Sequence, residues 1–161
     1  MAEEQKKSEA ATTFDIRKIY IKDASLESPN APSIFLQEAM KPDVSIDASI
    51  KAKKLDQENY FEVTLGITVT AKMGEKTAFL VEVQQCGVFH IVGIPNEDLP
   101  LALEIASPNV LLPFAREAVS DLVGKAGFPQ LLLSPINFEA IYMQKQQQQK
   151  EAEKEPDTSK H

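Results

Sequence analysis

Two residues offer the groups most often used for nucleophilic attack, proton transfer or metal ligation. They are Cys86, the single cysteine, and His90, the only histidine apart from His161. The run from Cys86 to His90 reads as strand, so both side chains leave the same face about 13 Å apart at ~3.3 Å per residue. A shared metal ion or a thiolate–imidazole pair needs far closer approach. Both are expected to be ordinary sheet residues. Asp23 and Glu27 pose the same question for carboxylates. They too lie four residues apart on a strand, about 13 Å, beyond the reach of an acid/base dyad sharing one proton. Taken alone, they read as solvated charges. There is no GxxxxGK[ST] loop and no GxGxxG after a strand, so nucleotide chemistry has no visible seat. The reading is of a binding protein without cofactor or metal.

The elements that would position these residues are organised around Tyr60 to Ile94. Phe61, Val63, Leu65, Ile67 and Val69 alternate with polar or small residues, the period of a strand with one buried face. Gly74 within Lys72 to Lys76 lets the chain reverse. The return strand puts Phe79, Val81, Val83, Phe89 and Ile91 on the apolar side, with Leu80, Glu82 and Gln84 opposite. Before this hairpin, Val44, Ile46, Ala48, Ile50 and Ala52 alternate as a further half-buried strand. Phe14 to Glu27 reads as the first strand. There Phe14, Ile16, Lys18, Tyr20, Lys22, Ala24 and Leu26 share a face and Ile19 and Ile21 the other, which implies two partly covered faces or a bulge. The sheet is thus four antiparallel strands, the last three a meander. Pro29 and Pro32 end the first strand, and the connection from Ser33 to Met40 leaves Ile34, Phe35, Leu36 and Met40 as either packing or binding residues.

Helices follow. Asn96 to Asp98 can cap a short helix, Leu99 to Ala106, which Ser107-Pro108-Asn109 breaks before a second one restarts. From Val110 to Ala126 the polar residues form a narrow ribbon, while Leu111, Leu112, Phe114, Ala118 and Leu122 cover much of the rest. One small sheet cannot bury that circumference, so part of the helix should face another subunit. Gly127-Phe128-Pro129 ends it, Gln130 to Pro135 is extended, and Asn137 caps a last helix from Phe138. Phe138, Ile141 and Tyr142 either close the core or wall a groove with Leu131 to Leu133.

At 161 residues this is about one domain. Residues 1–13 and 144–161 are expected to be disordered polar tails around a domain at 14–143. The 17 basic and 24 acidic residues give a net charge of -7, which disfavours nucleic acid. A lone cysteine, a charged N-terminus and apolar runs far below the ~20 residues of a membrane span point to the cytoplasm, without membrane insertion.

The segments FDIRKIYIKDASLESPNAP, YFEVTLGITVTAKMGEKTAFLVEVQQCGVFHIVGI and SPNVLLPFAREAVSDLVGKAGFPQLLLSPINFEAIY resemble the SecB family of bacterial protein-export chaperones. The runs TAFLVEVQQ, PFARE, GFPQL and SPINF are specific, and the similarity spans nearly all of Phe14 to Met143. Ser107 stands where many members carry cysteine. The resemblance implies an α+β fold, a four-stranded antiparallel sheet backed by C-terminal helices, assembled as a homotetrameric dimer of dimers. It also implies an ATP-independent holdase that keeps unfolded precursor proteins translocation-competent and passes them to the motor ATPase SecA. The family's motor contact maps onto Asp23, Glu27, Leu80 and Glu82, which turns the first two from idle charges into a partner surface. The zinc implied by the resemblance belongs to SecA's small C-terminal tail.

A holdase needs long apolar grooves with adaptable contacts. Pattern and resemblance together nominate Phe35, Met40, Val44, Ile46, Leu131, Leu133, Phe138 and Tyr142 as groove walls. The oligomer interface is expected at Phe79, Val81, Val83, Leu111, Phe114, Ala118 and Leu122. Four subunits would multiply weak contacts along one client. The competing readings are a dedicated-client chaperone of the antitoxin type and a small-ligand regulatory protein using the same groove.

Overall fold

The structure is a computed structural model that describes residues 11–38 and 41–154. Four strands, β1 (Thr13–Glu27), β2 (Asp43–Lys54), β3 (Tyr60–Met73) and β4 (Lys76–Val92), form one antiparallel sheet in the order β1-β4-β3-β2. The alternation in β3 and β4 sets their faces as expected. Phe61, Val63, Leu65, Ile67 and Val69 are buried, and so are Phe79, Val81, Val83, Phe89 and Ile91 on β4. Gly74, at φ 64, turns β3 into β4 with Met73 opposite Lys76, a two-residue hairpin that requires positive φ.

β1 resolves its conflict of phase by bulging twice. The register slips between Ile16 and Lys18 and again between Ile21 and Asp23, so Arg17 and Lys22 are the inserted residues. The faces assigned from alternation therefore change. Ile16, Ile19, Ile21, Ala24 and Leu26 all pair with residues on the apolar side of β4, while Lys18, Tyr20, Asp23 and Glu27 pair on the polar side. Gln85, 3% exposed on the apolar side, is not stranded there, because its Nε2 donates to the Tyr20 carbonyl at 3.1 Å.

The apolar side is covered by helix. α1 (Leu99–Leu101), a π-helical segment (Ala102–Ala106) and α2 (Ser107–Lys125) run on without the break expected at Ser107-Pro108-Asn109. Pro108 has no N–H for the preceding turn, and the wider π turn absorbs it. Ser107 Oγ donates to the Ala102 carbonyl at 2.8 Å, and Asn109 Nδ2 to that of Ile105 at 2.9 Å. Gly127, at φ 90, turns the chain out of α2. The following extended segment doubles back along the helix, where Arg116 Nε donates to the Leu133 carbonyl at 2.7 Å. That return covers part of the circumference that the sheet alone leaves bare. Leu111 is fully buried and Leu112 and Ala118 nearly so, while Phe114 stays 47% exposed.

α3 (Phe138–Ala152) starts on the expected cap, with Asn137 Oδ1 accepting from the Ala140 N–H at 3.0 Å. It passes the boundary drawn at Met143. Glutamine, lysine and glutamate are good helix formers once a cap has nucleated the helix, and Lys145 Nζ reaches Glu104 Oε1 at 2.7 Å. Thr13, placed in the predicted N-terminal tail, already belongs to β1, and residues 1–10 and 155–161 of the two predicted tails lie outside the described residues.

Candidate functional site

Two surfaces are built from the nominated residues. The first is the polar face of the sheet, opposite the helices. Across β1 and β4, Asp23 pairs with Gln84, Ser25 with Glu82 and Glu27 with Leu80. Side chains on directly paired positions share a face, so Asp23, Glu27, Leu80 and Glu82 form one continuous patch. The second bulge puts Asp23 there, since without it the strand's alternation would send Asp23 to the helix side. Asp23, Glu27 and Glu82 are exposed and Leu80, opposite Glu27 at one end of the patch, is half-buried.

Farther along the same face Glu62 is held between Tyr20 and Lys22. Lys22 Nζ lies 2.8 Å from Glu62 Oε1 and the Tyr20 hydroxyl donates to Oε2. The Lys22 ammonium, seconded by the phenol, holds the Glu62 carboxyl below its ordinary range, and Glu62 in turn raises Lys22. Burial, reinforced by the carboxylate, pushes the Tyr20 phenol well up. Arg17, from the first bulge, donates to the Tyr60 hydroxyl at 3.0 Å, with its guanidinium 5.7 Å from the ring centroid. His90 stacks on that ring at 4.6 Å, and buried Cys86 sits 3.2 Å from Thr64 Oγ1. Each thus has a local sheet partner.

The second surface is apolar. A cleft of ≈ 340 Å³ opens where β2 extends past the cover of the helices, lined by Ile46, Ala48, Leu133, Ser134, Pro135, Ile136 and Ile141. Ile46 (42% exposed) faces it from the edge strand, and Val44 (39%) lies on the same side of that strand, outside the lining. Of the nominated walls, Val44, Ile46 and half-buried Leu131 keep surface, and Leu133 is the cleft's floor at 3% exposure. Phe138 is corrected to core, because at 1% exposure it has nothing to offer a client. Tyr142 is half-buried beside the cleft lining without joining it. Phe35 is 47% exposed but stands on Phe128 at 5.1 Å between centroids, and Phe128 stands on Phe79 at 5.0 Å. Met40 lies outside the described residues. Ile136 was missed as a wall, whereas Ile141, offered by its spacing from Phe138 as a core or groove residue, lies in the lining.

The interface nominations divide in the same way. Phe79, Val81, Val83 and Leu111 are at most 4% exposed inside the subunit's own core, so they have no area left for a second copy and are corrected to core. Phe114 and half-buried Leu122 keep surface on α2, and Ala118 keeps little at 7%. Beside them a groove of ≈ 640 Å³ runs between α2 and the return segment, past Pro113, Glu117, Ser120, Gln130 and Leu132. Leu132 is 66% exposed there.

No helix among the described residues is long and apolar enough to cross a membrane. A family model described as preprotein translocase subunit SecB matches residues 7–149. The chain is 53% identical over 152 residues to a protein-export protein SecB of Chromobacterium violaceum, covering 94% of this chain and 98% of that one. It is 48% identical to its namesake in Methylobacillus flagellatus, covering 94% and 96%. A solved SecB-like chaperone of Mycobacterium tuberculosis, in complex with an antitoxin peptide, superposes with a TM-score of 0.65. It is 18% identical, with 76% of this chain and 90% of that one covered, and shows the fold shared.

Proposed function

The chain belongs to the SecB family, and from that membership we propose that it is an ATP-independent holdase for preprotein export. It binds non-native precursors in the cytoplasm, prevents their collapse and aggregation, and hands them to the SecA motor ATPase. It makes and breaks no covalent bond. The observation that carries the reading is the segregation of the surface. Apolar side chains are left in water along β2 and the cleft beside it, while the opposite sheet face is polar with an acidic patch at one end.

An unfolded chain presents scattered apolar side chains, and an open strip accepts many of them where a closed pocket would select one. Each contact is weak. Assembly into a homotetrameric dimer of dimers, through Phe114, Leu122 and the rest of the outer face of α2, would set several strips along one client and raise their effective concentration. Docking of SecA on Asp23, Glu27, Leu80 and Glu82 would leave the strips free, because the sheet separates the two surfaces. A general holdase is favoured over a dedicated antitoxin-type chaperone, since the relatives at about half identity are export proteins and the antitoxin-binding neighbour is only 18% identical.

The test is suppression of aggregation of several unrelated denatured proteins without nucleotide. Protection of none, or of only one, would refute the general holdase. Glu82→Lys or Asp23→Ala should weaken SecA binding and spare client binding. Equal loss of both would show that the patch has been misassigned.

A further inference from the structure

The acidic patch does not end where the nominated residues end. A cleft of ≈ 260 Å³ containing Asp23, Asp47 and Glu82 and another of ≈ 270 Å³ containing Lys22, Lys51 and Lys53 share Ser49, Gly66 and Gln84. They are therefore two ends of one furrow across the polar face of the sheet, acidic at one end and basic at the other. Within this cleft the one carboxylate among the lysines is Glu62, already paired with Lys22, while Glu104, which shares a separate cleft with Lys51 and Lys53, is paired with Lys145.

Gly66 forms the saddle between the two halves. On this face β3 presents Glu62, Thr64, Gly66, Thr68 and Thr70, so a central strand lacks a side chain only where the clefts meet. A glycine inside a strand weakens it, and commonly marks a place that another backbone approaches. Internal packing does not demand this one. A Cβ there would meet Ser49 Oγ at 2.5 Å, but Ser49 is an exposed side chain whose hydroxyl can rotate away. What glycine preserves is the open passage.

We propose that the furrow is a bipolar track for one extended segment of the motor partner. The segment would set a basic side chain beside Asp23, Asp47 and Glu82, cross Gly66 closely, and set an acidic side chain beside Lys51 and Lys53. Asp47 and Lys51 are four residues apart on β2, about 13 Å, so the two charges are separated by about four residues of extended chain. This deepens the docking assignment above and rests on it. A purely acidic patch attracts any basic chain, whereas two opposite charges at fixed spacing also select direction and register, and repel a uniformly basic client.

The experiment measures SecA affinity for the full-length protein at two salt concentrations. Lys51→Glu with Lys53→Glu should weaken binding at least tenfold, and the milder Lys51→Gln with Lys53→Gln at least threefold. Lys150→Glu with Lys154→Glu makes the same change in net charge away from the sheet, and should leave affinity within twofold of wild type. Gly66→Leu combined with Ser49→Ala should block the passage and weaken binding at least tenfold without further change in salt dependence. Retained suppression of client aggregation shows that each variant is folded. If Glu82→Lys abolishes binding while the Lys51 and Lys53 variants match the Lys150 and Lys154 control, the bipolar track is wrong and the acidic docking patch stands. If Glu82→Lys also binds normally, both are wrong.

Discussion

Replacing Ile46 and Phe138 separately by alanine distinguishes a wall that serves clients from one that serves the fold. Ile46 is 42% exposed at the cleft mouth, and Phe138 is 1% exposed at the start of α3. Fully burying an isoleucine side chain is worth about 1.5–3 kcal/mol. About two-fifths of that remains available to a client at Ile46, ~0.6–1.3 kcal/mol. Ile46→Ala should therefore weaken the binding of an unfolded polypeptide by about 3- to 9-fold per cleft. Its effect on stability should fall below the ~2–5 kcal/mol of a fully buried Ile→Ala change, because the edge strand already leaves the side chain partly in water. Phe138→Ala should do the reverse, costing about 3–5 kcal/mol of folding stability because a core ring leaves a cavity that the surrounding helix and sheet cannot close. The assays are anisotropy of a labelled, permanently unfolded client, and urea unfolding at fixed protein concentration, since the proposed assembly would make apparent stability concentration-dependent. Unchanged client affinity in Ile46→Ala would refute the cleft as a client surface. A normal urea midpoint in Phe138→Ala would refute the assignment of that ring to the core.

Three further substitutions have outcomes that follow from the geometry. Asn137→Ala removes the acceptor of the Ala140 N–H and should cost about 0.5–2 kcal/mol, seen as early fraying of α3 in hydrogen exchange. The Glu62 carboxyl titrates lower folded than unfolded, so its contribution to stability is fully present above the ordinary carboxylate range and is lost as pH falls through the folded value; Glu62→Gln should flatten the acid limb of a plot of urea midpoint against pH. Lys22, raised by the same pair, contributes below the ordinary lysine range and loses that contribution as pH rises through its folded value, so the alkaline limb should flatten in the same variant. Phe114→Asp puts a charge on the exposed apolar side of α2 and should reduce the sedimenting species below the proposed tetramer without unfolding it; an intact tetramer would exclude that face as the interface.

Much of the sheet was legible because period two is a local property. Phe61 to Val69 alternate, and a strand half-covered on one side can satisfy that pattern in only one phase. The caps were legible for the same reason: Gly74, Gly127 and Asn137 act on neighbours within a few residues. β1 was not. Its own alternation left Ile19 and Ile21 facing away from Phe14, and the resolution depends on a partner more than sixty residues along the chain, where β4 accepts two bulges and Gln85 reaches the Tyr20 carbonyl. That nonlocal pairing decides that Asp23 joins Glu82 on the polar face.

The apolar residues of the second half show the other limit. Composition announces that Leu111, Phe114, Leu131, Leu133, Phe138 and Ile141 compete to leave water, and the surplus on α2 is visible from its narrow polar ribbon. Which of them close the core and which line a cleft depends on how the segment after Gly127 lies back along α2. Hydrophobic burial has no direction of its own, so apolar side chains of similar size compete for the same interior until backbone geometry assigns the places. The sequence by itself therefore determined the strands, the polar and apolar sides of β2, β3 and β4, and the excess of apolar surface. The tertiary structure decided which greasy residues remain in water and which charges meet across strands, because both depend on distances between segments remote from each other along the chain.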